Sequence, residues 1–264
     1  MNILKPIIKI EQEEYSIQKF INSNIEEIRE IEFKKIQETN IKAEKLDIYS
    51  CKFTNCQFLN GDFYNSSFKD VIFENCDFSN CNISNSTFIR VKFSNCKLVG
   101  SNFSENTWNH VYIDETFGKY SNINLAHIKN SIIKQSDFSG SSMQEIKFKE
   151  FYLKDTNLTG TSLFRTKLQG IDLSTCMIEG IVVKIEDLKG CIVTAIQALS
   201  LAKLMGIIIK WNGASNGTWT HTHKMHTPLK RACLPIPAYL HVNHLYYSKN
   251  QFKLQVWIRR LNIS

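Results

Sequence analysis

Histidine and cysteine, two residue types that bind zinc, gather near one end of the chain. They are His221, His223, His226, Cys233, His241 and His244. Structural zinc sites usually contain a paired Cys-x-x-Cys, and this segment has none. The His-x-His-x-x-His spacing at 221–226 is weak evidence on its own, so we predict no metal or cofactor site.

Residues 211–264 differ from the rest of the chain in composition. They carry seven basic residues and no acidic ones, and without them the chain has 25 basic and 25 acidic residues. The string NGTWTHTHKMHTPLKRACLPIPAYLH also resembles the conceptual translation of a tRNA gene. A non-native extension, a genuine disordered segment and a metal site all stay open. We predict a disordered or non-native tail, and the neutral main body gives no charge-based reason to expect nucleic-acid binding.

The remaining cysteines could form a disulfide or bind a soft metal. They are Cys51, Cys56, Cys76, Cys81, Cys96, Cys176 and Cys191. Serine, threonine and valine alternate with them at equivalent positions of a repeat described below, which indicates a requirement for small side chains. Free cysteine is a normal small buried residue, so we predict reduced, buried thiols.

No arrangement of residues before the tail is typical of catalysis. His110 and His127 have no nucleophile pattern nearby, and the aspartates and asparagines recur as a feature of the repeat. Their simplest role is that of polar groups pointing outward at corners, not of an acid–base pair. We therefore predict a protein that is not an enzyme and has no catalytic residue.

A large apolar residue recurs every five residues from Ile48 to Ile178. Of the 27 positions in this series, 26 are apolar and the exception is Gly118. Small residues recur two positions earlier, as at Cys51 and Cys56. A period of five fits neither a helix nor a long flat strand. It predicts a chain that turns a corner every five residues, with one large and one small side chain inward on each side.

A longer period of twenty residues lies beneath the period of five. Cys56, Cys76 and Cys96 fall in one column of the twenty-residue frame, and Asp62, Asn82, Asn102 and Asn122 fall in another. Stacked identical residues are favoured by parallel strands in register, about 4.8 Å apart. Four sides of five residues therefore predict a square coil.

Segments such as CDFSNCNIS, SDFSG, TNLTGTSL and IDLST resemble the A(D/N)Lxx consensus of the pentapeptide repeat family. The resemblance covers roughly residues 26–193 and implies an all-β fold, the right-handed quadrilateral β-helix. DLKG and the residues after it, 191–210, resemble the end of Qnr-like members, which protect topoisomerases in quinolone resistance. That resemblance implies a DNA-shaped surface that binds DNA gyrase or topoisomerase IV. The unbroken register resembles members without long loops.

The two ends of the repeat predict caps, which a solenoid needs to cover its open core. Residues 1–25 are predicted to form an N-terminal lead-in, 26–193 the β-helix, and 194–210 a capping helix followed by a strand. Thr194 and Gln197 have the spacing of a capping box, and Gly206 suits a left-handed helix end. A short strand is expected at Ile207–Ile209, before the tail at 211–264.

One side of the coil is the candidate interaction face. In the twenty-residue frame it contains Asp62, Asn82, Asn102, Glu105, Asn122 and Glu145. Whole-rod mimicry of DNA charge is excluded, because residues 46–180 hold 14 acidic and 13 basic residues. Another side is richer in bases, with Asp47, Asp70 and Glu150 as its acids and with Lys69, Arg90, Lys129, Lys147, Lys149 and Lys167. A scaffold for another protein partner therefore stays open beside the topoisomerase interpretation.

The C-terminal end is the predicted contact between two copies. The resemblance to Qnr-like proteins implies an end-to-end homodimer, with candidate contacts at Ile196, Leu199, Leu204, Ile207 and Ile209. No signal peptide is evident, and polar residues interrupt the apolar run 191–209. A cytoplasmic protein without a membrane partner is expected.

Overall fold

The chain winds into a parallel β-solenoid. The computed structural model describes residues 3–14, 16–22 and 26–210, so the predictions for the tail and its zinc candidates lie outside the described residues. Eight strands follow one another in the main sheet: β1 (Gln12–Glu14), β3 (Ile31–Lys34), β5 (Asp47–Thr54), β7 (Ser67–Glu74), β8 (Thr87–Ser94), β9 (Thr107–Asp114), β10 (His127–Lys134) and β11 (Lys147–Lys154). β2 (Glu27–Arg29) also pairs with β5, and β4 (Gln37–Thr39) pairs with β6 (Gln57–Leu59).

The register between neighbouring strands is twenty residues. Phe53 is paired with Phe73, and Phe73 with Phe93. Their rings stack at centroid distances of 5.0 Å and 4.8 Å, and all three are buried. The predicted column of inward-facing residues is therefore confirmed. Isolated bridges such as Asn82–Asn102 continue the same register on the other two sides of the coil.

Corners occur at every fifth residue, where the backbone is left-handed. Asn55, Asn75 and Asn95 have φ of 56°, 53° and 51°. Asparagine tolerates this region better than most residues because its short side chain bonds locally. Glycine takes the corner at Gly140, with φ of 67°, where an added Cβ would lie 2.6 Å from the Tyr120 ring. The abundance of asparagine and glycine at these positions follows from the turn geometry.

Gly118 breaks the apolar series because a neighbouring ring already occupies its space. A Cβ built on Gly118 would lie 2.4 Å from Cε1 of Phe138. Phe138 is 1% exposed, so the core is filled from the next coil. The irregularity is a packing solution that leaves the register unbroken.

The main sheet ends at β11. Among the described residues, no backbone hydrogen bond joins β11 to the next coil at 167–174. Side chains hold that coil instead, since Thr166 Oγ1 accepts from the N–H of Ile146 at 3.1 Å and Thr175 Oγ1 accepts from that of Asp155 at 2.9 Å. The last coils are therefore attached mainly by side-chain contacts on these two sides.

A short helix covers the N-terminal end of the core. In α1 (Gln18–Asn22) the ring of Phe20 packs edge-on against Phe33, with centroids 5.9 Å apart. Ile17, just before the helix, is fully buried. Glu38 lies half-buried where the later coils have an apolar residue, as its place in the repeat predicts.

The C-terminal end carries the predicted helix, α2 (Ala195–Ala202), followed by a 3-10 turn at Lys203–Met205. A second 3-10 turn, Ile185–Leu188, precedes them. The Thr194–Gln197 capping box forms, and Gly206 is left-handed with φ of 69°. The strand predicted at Ile207–Ile209 is wrong: these residues adopt no regular structure, because a strand needs a neighbouring edge and none is paired with them.

Candidate interaction surfaces

One side of the solenoid presents a ladder of amides, here called the amide ladder. It consists of Asp62, Asn82, Asn102 and Asn122, which lie directly above one another. Each asparagine donates from Nδ2 to Oδ1 of the residue before it, at 2.9, 3.2 and 3.1 Å. Hydrogen bonds that run along the axis hold these partly buried side chains in fixed positions. The predicted ladder is present and is bonded along its length.

Glu105 and Glu145, the other two predicted members of this face, lie in the neighbouring corner column. The exposed Leu125 separates them in that column. Arg165 approaches Glu145 at 3.3 Å, and both side chains are largely exposed. The structure therefore places the six predicted residues on one side of the coil, but in two columns, of which only the ladder is bonded throughout.

The charge of this face is weakly negative. Between residues 61 and 145 its outward positions include Asp62, Glu105 and Glu145 and no basic residue. Partial burial tends to raise the pKa of Asp62, but hydrogen bonds from Lys42, the N–H of Tyr64 and Asn82 outweigh it and lower the pKa below its usual value. Asp62 is thus held as a carboxylate at the start of an otherwise neutral ladder.

The C-terminal end exposes the apolar residues predicted to join two copies. Ile196, Leu204 and Ile207 are 38%, 44% and 48% exposed, whereas Leu199 and Ile209 are half-buried. A shallow cleft of about 150 Å³ lies beside them, lined by Leu188, Cys191, Val193, Ala198, Leu201, Ala202 and Met205. Gln197 fixes the helix on the coils by donating to the carbonyls of Leu173 and Cys176, each at 2.8 Å.

The thiols lie at the small inward positions, as predicted. Six of the seven described cysteines are buried, Cys191 is partly buried, and all seven are free. Burial raises the pKa of Cys51 to about 11 and that of Cys81 to about 12, since an apolar interior disfavours the thiolate. Cys76, between the thiols of Cys56 and Cys96, also has a raised pKa. Such thiols fill space and are poor nucleophiles.

The described part of the chain contains no group of three or more histidine, cysteine, aspartate or glutamate side chains arranged to hold a metal ion. Within the same part, no helix has the length and hydropathy to cross a membrane.

An N-terminal strap, residues 3–11, is a surface element that the repeat pattern missed. It runs along the solenoid axis over one corner column, and its backbone N–H groups donate to that column. The N–H of Glu11 donates to the carbonyl of Glu30 at 2.8 Å, and that of Lys9 donates to Ser50 Oγ at 2.7 Å. The N–H of Ile7 donates to Asp70 Oδ1 at 2.9 Å, and that of Leu4 donates to His110 Nδ1 at 3.2 Å. The strap thereby spans coils that are far apart in sequence.

The most buried charge on the surface lies beneath this strap. Asp70 has no exposed area, and Arg90 holds it with two hydrogen bonds, from Nε at 2.6 Å and from Nη2 at 2.5 Å. A bidentate guanidinium and one backbone N–H together satisfy the carboxylate. Asp70 and Arg90 are twenty residues apart and occupy the same corner position, so the twenty-residue frame could have predicted this ion pair.

Two descriptions of repeats match the chain. A family model described as "Pentapeptide repeat region" matches residues 46–123, and one described as "Pentapeptide repeats (8 copies)" matches residues 141–176. With corners every five residues and a register of twenty, these matches identify the chain as a pentapeptide repeat protein. The predicted family resemblance is confirmed, and neither matching model describes a catalytic domain.

Solved structures give similarities of fold. A trypsin-treated variant of QnrB1, a plasmid-mediated fluoroquinolone resistance protein, is 17% identical with a TM-score of 0.40, over 68% of this chain and 91% of its own. A second trypsin-treated QnrB1 variant is 15% identical with a TM-score of 0.41, over 78% and 99%. HetL, a pentapeptide repeat protein involved in heterocyst differentiation regulation in Nostoc sp. strain PCC 7120, is 12% identical with a TM-score of 0.31, over 67% and 95%. No curated protein matches the chain.

Proposed function

We propose that this pentapeptide repeat protein is a non-enzymatic binding surface that occupies the DNA site of a type II topoisomerase, DNA gyrase or topoisomerase IV. The amide ladder is the observation that carries the proposal. It joins four successive coils by side-chain hydrogen bonds, on a face that carries no base over five coils, between residues 61 and 145. A channel built for a stiff anionic rod accepts such a face more readily than a basic one.

Shape contributes more than charge to this proposal. Five coils spaced about 4.8 Å apart extend about 19 Å from first to last. Duplex DNA of that length would carry about 11 negative charges, at one per 1.7 Å. The ladder face carries three, at Asp62, Glu105 and Glu145. Binding would therefore depend only weakly on salt, in contrast to DNA itself.

The low charge of this face also favours a second candidate, an interaction scaffold for a different protein. Two of the three acids on the face are paired with bases, Asp62 with Lys42 at 3.2 Å and Glu145 with Arg165 at 3.3 Å. A nearly neutral row of amides suits hydrogen bonding to a protein surface as well as entry into a DNA channel. An assay with purified gyrase separates the two candidates.

The experiment is a DNA supercoiling assay with and without ciprofloxacin. The ladder-face variant combines Asn85→Lys, Ser104→Lys and Glu105→Lys, which add positive charge beside the ladder without removing its hydrogen bonds. A matched control variant combines Asn95→Lys, Ser94→Lys and Glu115→Lys on the opposite side. Wild type and control are expected to inhibit gyrase or relieve the drug, and the ladder-face variant is expected to lose about tenfold in potency.

Two results would contradict the topoisomerase proposal. One is a wild-type protein that neither inhibits gyrase nor relieves ciprofloxacin, and this result would leave the scaffold candidate. The other is an equal loss of potency in the two variants, which would show that total charge matters and the ladder face does not. Thermal unfolding of both variants near the wild-type temperature establishes that the comparison concerns folded proteins.

A further inference from the structure

A cluster of unpaired lysines lies on the solenoid side that begins each long strand. His127 is paired in register with Lys147, and Lys129 with Lys149, on β10 and β11. Lys167 follows Lys147 by twenty residues, in the next coil. All five side chains are exposed. These five residues are here called the lysine patch.

The patch brings several lysines without an acidic partner together on three successive coils. Some lysines elsewhere on the rod pair with acids along the coils, as Lys134 does with Asp114 at 3.1 Å and Lys119 with Asp137 at 3.3 Å. Within the described residues, none of the four patch lysines forms an ion pair. Like charges side by side in a sheet are destabilising. An acidic group on a partner could supply the missing counter-charge.

The charge of the patch acts on His110 at a neighbouring corner. Burial, then the cations Arg90 and Lys129, lower the pKa of His110, while Glu150 opposes them. The acids at the two corners of this side are Glu150 and Glu145, of which Glu145 is paired with Arg165, and the four lysines outnumber them. An anionic group placed over β10 and β11 would therefore be attracted at short range.

We propose that the lysine patch binds an extended acidic segment of a partner protein. The spacing supports this occupant. Lys147 and Lys149 lie two residues apart on one face of a strand, about 6.6 Å, and the same spacing separates alternate side chains of an extended peptide. The second row of the patch lies one coil away, at about 4.8 Å. Two or three glutamates or aspartates at alternate positions would each meet a lysine.

The N-terminal strap demonstrates that an extended chain can lie across successive coils of this molecule. It crosses the corner column as far as His110. The patch residues His127 and Lys129 lie on the coil that follows His110. Duplex DNA fits the patch less well, because the five patch residues include no arginine and lie on a strand surface, not on an element that projects into a groove. The proposal is independent of the topoisomerase proposal, which concerns a different side of the rod.

The test uses the full chain and a fluorescein-labelled peptide of twenty residues that alternates glutamate and serine. Fluorescence anisotropy compares wild type with a patch variant, Lys129→Gln, Lys147→Gln and Lys149→Gln, and with a control variant of equal charge, Lys92→Gln, Lys97→Gln and Lys119→Gln. The patch variant should bind about tenfold more weakly, equivalent to about 1.4 kcal/mol. The affinity of the control variant should stay within about twofold of wild type, because its substitutions lie outside the patch. The basic residues 211–264 contribute the same background to all three proteins.

Carbodiimide crosslinking locates the peptide, since it joins a carboxylate directly to a lysine. Crosslinks at Lys129, Lys147, Lys149 or Lys167 are expected, and a variant with arginine at positions 129, 147 and 149 should retain affinity. Absence of binding, equal weakening of patch and control variants, or crosslinks confined to other lysines would each overturn the proposal. Tighter binding of a DNA duplex of equal charge would also overturn the proposal if the patch variant lost that binding. The patch would then be a nucleic-acid site.

Discussion

At the scale of single residues, stacked phenylalanines account for much of the stability of the core. Phe73 contacts Phe53 and Phe93 above and below it, and Phe68 and Phe78 on its own coil. Aromatic pairs in these geometries add to the free energy gained by burying apolar area. A residue with four aromatic neighbours has no space into which its surroundings could collapse after truncation.

Phe73→Ala is therefore expected to destabilise the fold by about 3–5 kcal/mol, through lost burial and a residual cavity. Urea denaturation followed by circular dichroism measures the change. Tyr64→Ala is a suitable comparison, because Tyr64 is 39% exposed and should lose far less. Equal losses for the two variants would contradict the stacking argument.

Buried thiols predict a dependence of stability on alkaline pH. The pKa of Cys51 is raised to about 11 and that of Cys81 to about 12 in the folded chain, from an ordinary value near 9. Above pH 9 the unfolded chain loses these protons and the folded chain keeps them, so the stabilisation present below pH 9 is lost as pH rises towards 11–12. The double variant Cys51→Ser and Cys81→Ser should lose less thermal stability than wild type between pH 8.5 and 10.5.

The same residues give a chemical readout. Iodoacetamide at pH 8 should modify the native thiols slowly and all of them rapidly in guanidinium, because the thiolate is the reactive form. Rapid labelling of Cys81 in the folded protein would contradict its burial.

At the scale of elements, the strap and its ion pair form one unit. The carboxylate of Asp70 accepts hydrogen bonds from Arg90 and from the N–H of Ile7. Loss of either donor would leave this buried carboxylate with fewer hydrogen bonds. This buried pair contrasts with the exposed pair of Arg165 and Glu145. Each pair joins an arginine to a carboxylate twenty residues before it, which makes the two pairs a suitable comparison.

Arg90→Gln should destabilise the protein by about 3 kcal/mol, because it leaves a buried carboxylate without its counter-ion. Arg165→Gln should change the free energy of unfolding by less than about 1 kcal/mol, since solvent screens that pair. Denaturant titration of both variants provides the test. A loss in Arg165→Gln as large as that in Arg90→Gln would show that burial is not the deciding factor.

How well sequence predicted each element depends on how the element is held. The coils and the amide ladder were predictable because their contacts are between side chains repeated every twenty residues, such as Asn82 and Asn102. The strap was not, because its contacts use backbone N–H groups, which leave no pattern in residues 3–11. The strand expected at 207–209 failed for a related reason: apolar residues there lack a neighbouring edge.

At the scale of the whole molecule, the exposed C-terminal end predicts an assembly. Ile196, Leu204 and Ile207 are 38%, 44% and 48% exposed at the α2 end of the solenoid. Burying such a surface against a second copy would remove apolar area from water at about 25 cal/mol per Å². A two-fold contact between identical ends would close the assembly as a dimer.

Sedimentation velocity on a chain ending at Lys210 should therefore detect an elongated homodimer. Ile196→Glu with Ile207→Glu should convert it to monomers without unfolding it, because both side chains lie on the surface. Tyr120→Glu with Phe117→Glu, exposed on the side of the rod, is the matched control and should leave the dimer intact. A monomer before substitution would rule out this interface.

The strap also sets an order of events during synthesis. Leu4 leaves the ribosome about 5 to 20 seconds before His110, the residue that accepts its hydrogen bond 106 positions later, at translation rates of roughly 5–20 residues per second. Until then residues 3–11 have only part of their binding column. They consequently settle later than the coils at residues 30–70 that they cross, and a nascent chain released before residue 110 would leave Leu4 without its acceptor.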